Sequence, residues 1–173
     1  LKIVDFDIAA LFKAMDSKRI SRKLSWSQVA KEIWELSADL NRVRHDHPIS
    51  PSTIISMSKM DNTTCQHALF FLRWLGRSPE SFLPGVDARG ITLPPAGTDR
   101  RLRWDLLLLY DSINTRRQEL KVTWPQLAGV IRCTPNQLTG IRTAKFAIGM
   151  KLAMRIVQWL ERPAADFIYP AKW

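Results

Sequence analysis

The chain has 173 residues, with 26 basic and 16 acidic side chains and a formal net charge of +10. Apolar residues make up 46% and charged residues 24%, which excludes wholesale disorder, and no apolar run approaches the ~18 residues of a membrane span. Two cysteines, Cys65 and Cys133, are too few for a disulfide framework or a four-ligand zinc set, so a reducing, cytoplasmic setting is expected; the excess of base points to a polyanionic partner.

In chain order, Ile8, Leu11, Phe12 and Met15 follow the i, i+3, i+4, i+7 stripe of an amphipathic helix. Ser25-Trp26-Ser27-Gln28 is a Ser/Thr-x-x-Gln capping box that opens a second helix with Val29, Ala30 and Ile33 inward. No Gly or Pro interrupts Trp34 to Leu40, so this helix is predicted to run on by about two turns, ~11 Å, before a polar loop from Asn41 to Pro48. Ser50-Pro51-Ser52-Thr53-Ile54, a hydroxyl cap followed by Pro, starts a third helix. Ala68, Phe71, Leu72 and Leu75 form another stripe, and Phe82 falls in a short last turn. Residues 84–98 hold Pro84-Gly85, Gly90, Pro94-Pro95 and Gly97 and read as a linker.

The same order then recurs. Leu106, Leu109, Tyr110 and Ile113 make the stripe, Thr123-Trp124-Pro125-Gln126 the capping box, and Leu127, Ala128 and Ile131 the inward face. Thr134-Pro135-Asn136-Gln137-Leu138 starts the third helix, and Ala153, Ile156, Val157 and Leu160 the later stripe. At an offset of 98, Asp7, Leu11, Arg19, Lys23, Trp26, Gln28, Ala30 and Ile33 fall on identical residues. Beyond an offset of 84 at Ile54 and Leu138, the match resumes at 85, with Trp74 on Trp159, Arg77 on Arg162 and Phe82 on Phe167. The first half therefore carries 14 extra residues between its second and third helices. The expected architecture is all-α: a domain over 1–83 with an insertion around 34–48, a linker over 84–98, and a domain over 99–173, each of about five short helices with no strand.

Only Arg132 and Cys133 separate Ile131 from the Thr134 cap, the tight turn of a helix-turn-helix. The third helix would turn Leu138 and Ile141 inward and present Asn136, Gln137, Thr139, Gly140 and Arg142. Asn and Gln pair bidentately with adenine and Arg with guanine, a small side chain at Gly140 allows close backbone approach, and a helix N-terminus favours a phosphate. The equivalent face of the first half, Ser52, Thr53, Ser56 and Lys59, has no Arg, Asn or Gln. Residues 98–173 hold 13 basic and 6 acidic side chains against 13 and 10 in residues 1–97, so the second half is expected to dominate binding. Arg100, Arg101 and Arg103 either grip phosphate or rest in solvent, and the same choice holds for Arg42 and Arg44 in the insertion.

Each half resembles a lambda-repressor/Cro-like (XRE-type) helix-turn-helix domain. The second half does so through Thr123, Leu127-Ala128, Thr134, Leu138-Thr139, Ile141 and Lys145. The first does so through Ser25, Val29-Ala30, Ser50-Pro51-Ser52-Thr53-Ile54 and Lys59. Trp74-Leu75 and Trp159-Leu160 are similar to segments of some regulators of this type. The resemblance implies two compact all-α bundles of about five helices in tandem, binding to double-stranded DNA in transcriptional control, and a cytoplasmic, nucleoid-associated location of bacterial or phage kind. It departs from the family at Trp26 and Trp124, where Gln is frequent and holds a phosphate; an indole N–H either donates there or the ring serves a core. Arg132 stands where Gly is usual, and Arg142 where Glu is common. The expected DNA-binding set is Trp124, Pro135, Asn136, Gln137, Thr139, Arg142 and Lys145, with Ser52, Thr53, Ser56 and Lys59 secondary.

His45-Asp46-His47 reads as a solvated loop rather than a metal site, Cys133 as a small buried residue, and the seven tryptophans as core and interface. No phosphate-binding Gly loop, paired catalytic carboxylates or nucleophile signature is present, so a non-enzymatic protein without cofactor or metal is expected. The alternative function is a protein-interaction adaptor that keeps the helix-turn-helix fold without binding DNA. A homodimer contact or a protein partner would then use exposed aromatics.

Overall fold

A computed structural model describes residues 2–47, 49–143 and 148–173. Among them the chain is mostly helical. The first half comprises α1 (Ile8–Ser21), α2 (Trp26–Glu35), α3 (Ala38–Arg44), α4 (Pro51–Met60) and α5 (Cys65–Leu75), closed by a 3₁₀ turn at Pro79–Phe82. The second comprises β1 (Arg101–Trp104), α6 (Leu106–Glu119), α7 (Trp124–Ile131), α8 (Pro135–Thr139) with a 3₁₀ extension at Gly140–Thr143, α9 (Met150–Leu160), a 3₁₀ turn at Ala164–Phe167 and β2 (Ile168–Ala171).

Local chemistry sets the helix starts. Asp7 and Asp105 cap α1 and α6 by accepting from Ala10 N and Leu108 N. Ser25 and Thr123 open α2 and α7 with reciprocal capping boxes to Gln28 and Gln126. The stripes of both halves are buried at Leu11, Met15, Ala68, Phe71, Leu72, Leu109, Ile113, Ala153, Ile156 and Val157, and these join one continuous hydrophobic cluster.

The repeat extends to side-chain geometry. Trp26 stacks on Phe12 at 5.4 Å between ring centroids and carries the Arg19 guanidinium at 4.7 Å; Trp124 stacks on Tyr110 at 5.7 Å and carries Arg117 at 4.5 Å. Arg19 donates to Asp16 and Leu24 O, and Arg117 to Asn114 and Val122 O. Lys18 donates to Trp74 O and Arg116 to Trp159 O, each cation lying over the indole of the residue whose carbonyl it holds.

Two expectations are corrected. The chain is not purely helical: β1 and β2 form a two-stranded antiparallel sheet, Arg101 opposite Ala171 and Trp104 opposite Ile168. Four residues are too few for an alternation to stand out in the sequence. Among the described residues the first half has no such pair: Pro84-Gly85 turns the chain at the equivalent place, Gly85 at φ +77°. Second, α2 does not run on by two turns. It stops at Glu35, Ser37 leaves the helical region, and α3 starts separately. The carbonyls freed at the break are taken by Arg73 Nη2 (to Leu36 O, 2.7 Å) and Asn41 Nδ2 (to Trp34 O, 2.9 Å).

The far end of the 84–98 stretch is docked. Arg73 donates to Ala96 O, Gly97 O and Arg100 O, and Leu40 N donates to Thr98 O. The insertion thus clamps the chain as it enters the second half. Arg101, 7% exposed, pairs with Asp46 at 2.6 Å and donates to Asn41 Oδ1 at 3.2 Å, so it is unavailable to a phosphate.

The halves meet through equivalent residues. Thr64 and Gly149, 85 apart, form an antiparallel bridge: Cys65 N donates to Ile148 O (2.7 Å) and Met150 N to Thr63 O (2.9 Å), and α5 packs on α9. The segment ahead of α1 binds α9 through both polar backbone atoms of Val4 and the Gln158 amide. The segment ahead of α6 binds the start of α5, where Trp104 Nε1 donates to Cys65 O and Gln66 Nε2 to Leu102 O.

Glu80, 6% exposed, lies at this junction, its Oε2 accepting from Ala164 N at 3.3 Å while Oε1 has no partner among the described residues. Burial pushes its carboxyl above the ordinary glutamate range. A raised folded-state pKa gives stability that is full below the unfolded value and is lost as pH rises through the folded one. Glu80→Gln should therefore stabilise the chain by about 1 kcal/mol at pH 8, the scale of an unsatisfied buried group, and give no gain near pH 4 in denaturant melts.

Candidate nucleic-acid interface

The turn between α7 and α8 is built as the spacing suggests. Arg132 ends α7 in the left-handed region at φ 65°, and Cys133 N donates to Ala128 O. Arg132 is held by Asp5, which also accepts from Arg155 Nε at 2.8 Å. The Arg155 bond, with the charges of Arg155 and Arg132, holds the Asp5 carboxyl below its usual range. The segment ahead of α1 thereby braces the turn of the other half.

Thr134 caps α8, and Gln137 completes a third capping box: its backbone N–H reaches Thr134 Oγ1 at 3.2 Å, and its Oε1 accepts from Thr134 N at 2.8 Å. Leu138 and Ile141 are buried, as their spacing predicts. Pro135, Asn136, Gln137 and Arg142 are exposed and Thr139 is half-buried. Arg142 has no ion pair among the described residues. Lys145 lies outside the described residues.

The expected face needs revision in four respects. The α-helix has only five residues before tightening into a 3₁₀ turn, so the 3.6-residue phase does not carry from Asn136 to Arg142 and the N-terminal dipole is that of a short segment. Gln137 is partly committed to its cap, leaving its Nε2 as the outward donor. The Thr139 hydroxyl donates to Pro135 O and presents chiefly its methyl. Trp124 is half-buried with one face on Tyr110 and Arg117 beside its ring, a brace between α6 and α7 with only an indole edge to offer.

In the first half, α4 is a full ten-residue helix with Ser50 as cap and Pro51 in its first turn. Ser52 is exposed and Thr53 and Ser56 are half-buried. The Ser50 hydroxyl contacts those of Ser52 and Thr53, and Ser56 donates to Ser52 O, so these hydroxyls serve the helix itself. Ser52, Thr53 and Ser56 border a hollow of about 260 Å³ with Met57, Thr64 and His67, whose imidazole is held below its usual range by burial. Lys59 is exposed on the last turn.

Other basic candidates are engaged. Arg100 pairs with Asp99, Arg103 donates to Trp173 O with its guanidinium 4.3 Å from that ring centre, and Arg42 contacts Asp39 and lies over Trp34. Arg44 is exposed. Asp46 of the His-Asp-His stretch serves Arg101, which with burial opposing holds its carboxyl low. Burial pushes the Cys65 thiol up to about 12, the opposite of what a nucleophile needs. Among the described residues no helix is long and apolar enough to cross a membrane.

One surface was missed in the sequence. The exposed ion pair Arg22–Glu32 of the first half becomes Leu120 and Val130 in the second, 53% and 54% exposed, with Leu107 and Leu108 also exposed. The exposed apolar groups are thus mainly aliphatic, and Trp173 is the one aromatic of that kind among the described residues. Comparing residues 22 and 32 with their partners at the offset of 98 would have found it.

No protein-family model, curated protein or solved structure matches the chain.

The Gln137 box separates a structural from a binding role. Gln137→Ala should lower stability by about 0.5–1 kcal/mol in thermal melts, whereas Gln137→Glu should keep it, since Glu completes the same box.

Proposed function

We propose that the chain is a non-enzymatic, sequence-specific double-stranded DNA-binding protein acting in transcriptional control, built as two lambda-repressor/Cro-like helix-turn-helix domains in tandem. The observation that carries this reading is the α7–turn–α8 unit, in which buried Leu138 and Ile141 hold a segment whose Asn136, Gln137 and Arg142 face solvent. The third helix of the second domain enters the major groove. Asn136 pairs with adenine and Arg142 with guanine, Gln137 donates through Nε2, and exposed Lys59 and Arg44, with Lys145, approach phosphates. The first domain contributes less, because its hydroxyls are turned to their own helix.

One observation favours a second reading, the protein-interaction adaptor: Leu107, Leu108, Leu120 and Val130 are exposed, and Leu108 and Leu120 line one hollow. Fluorescence anisotropy with a labelled mixed-sequence duplex separates the two. DNA binding predicts that log K falls with log salt at about −0.9 per phosphate neutralised. No duplex binding at low salt would favour the adaptor.

Gly140 gives a sharper test. Its φ is −66° and a Cβ would meet no atom within 4 Å, so the fold does not require glycine there. Gly140→Ala should leave the fold intact or stabilise it by up to about 1 kcal/mol. If the backbone lies close to a base edge, the same methyl should weaken duplex binding several-fold; unchanged binding would move the contact elsewhere.

A further inference from the structure

The bridge between Thr64 and Gly149 joins residues that occupy the same place in the two repeats. Its two hydrogen bonds are mates of each other: residue 65 to residue 148, and residue 150 to residue 63, each shifted by 85. An antiparallel pairing of a segment with its own equivalent creates a local two-fold axis. The packing of the equivalent elements follows that operator, whereas the bonds of the insertion to Thr98 and Arg101 have no counterpart among the described residues of the second half. Equivalent helices α5 and α9 pack together, and each half's leading segment crosses to the last helix of the other, although at different turns of it: Val4 bonds Gln158 towards the end of α9, and Leu102 bonds Gln66 at the start of α5. Residue by residue at the bridge, and element by element elsewhere, this is the arrangement of an isologous dimer, made here inside one chain.

The axis also relates the two third helices. Helix α4 ends at Met60, four residues before Thr64, and the 3₁₀ extension of α8 ends at Thr143, six residues before Gly149. Chain length bounds their separation. Half of α4 plus four residues reaches at most about 22 Å from Thr64. The corresponding path from Thr139 reaches at most about 28 Å from Gly149. With about 5 Å across the bridge, the helix midpoints are at most about 55 Å apart. One turn of B-DNA, ~34 Å, is within that reach, and two turns, ~68 Å, are not.

The two faces are chemically unequal: Ser52, Thr53, Ser56 and Lys59 on α4, against Asn136, Gln137, Thr139 and Arg142 on α8 and its extension. We infer that one chain occupies one duplex at an imperfect inverted repeat, its two unlike half-sites centred about one helical turn apart, and always in the same orientation. This inference rests on the DNA-binding reading above. A symmetric homodimer would take identical half-sites in two indistinguishable orientations; the covalent pair here has no such freedom. The better-specified half-site belongs to α8.

The test is selection of a random-core duplex library with the full chain at low salt, followed by mass photometry and anisotropy on the selected duplex. The expected result is two inverted sequence blocks of unequal information, centred about 10 bp apart, bound by one chain. Inserting 5 bp between the blocks puts them on opposite faces of the duplex and should weaken binding at least tenfold. Asn136→Ala should relax one block and Ser52→Arg should alter the other, with circular dichroism confirming that both exposed-site variants are folded. A single block, insensitivity to the insertion, or two chains per duplex would overturn the inverted-repeat inference while leaving DNA binding standing. Failure to enrich any duplex would overturn both.

Discussion

Everything in this molecule is arranged around two backbone hydrogen bonds, Cys65 N to Ile148 O and Met150 N to Thr63 O. Each lies at the start of a last helix, so the bridge sets α5 against α9 at the point where both helices begin. Apolar packing then follows along two helices that are among the most buried in the chain: Ala68, Leu69, Phe71 and Leu72 on one, Ala153, Met154, Ile156 and Val157 on the other. Hydrogen bonds of this kind contribute only about 1 kcal/mol net each, but they are directional. They fix the register in which non-directional apolar burial takes place.

The repeats diverge where their surroundings differ. The first half must guide the chain into the second, and its extra residues do so. Helix α3 brings Asn41 and Asp46 to Arg101, while Arg73 and Ser37 hold the carbonyls on either side of the junction. The Arg101 pair is nearly dry on one side and leaves Arg101 Nε without a partner among the described residues. Such a pair contributes little net stability after desolvation; its consequence is to define one arrangement of insertion and linker. The second half diverges at a different place. Its surface equivalent to Arg22 and Glu32 carries Leu120 and Val130, both exposed, in place of the ion pair.

The periodic part of the fold was legible in the sequence. Stripes at Leu11 and Met15, or Leu109 and Ile113, are buried because their spacing leaves no other face for them, and the capping boxes at Ser25 and Thr123 depend only on residues three apart. What escaped depends on distant residues. The stop of α2 has no Gly or Pro to announce it; Arg73, 37 residues away, satisfies the Leu36 carbonyl that the broken turn leaves free. The pairing of β1 with β2 joins four-residue segments at opposite ends of the second half. At the candidate site, burial of Leu138 and Ile141 and exposure of Asn136 followed from spacing. The Gln137 cap is written in Thr134-x-x-Gln137, the same signal as at Thr123, and it commits the oxygen of the amide that would read a base. Arg101 could not be distinguished from its neighbours Arg100 and Arg103 without its long-range partner, Asp46.

The DNA-reading assignment ties a specific surface to a specific partner, and amide hydrogen exchange of the full chain, with and without a duplex chosen by selection, tests it most directly. Added duplex should slow exchange across residues 134–143 most strongly and across 50–60 to a smaller degree, with α5 and α9 unchanged. Protection centred instead on Leu107, Leu108, Leu120 and Val130, or no protection at 134–143 at a duplex concentration that saturates binding, would contradict the account.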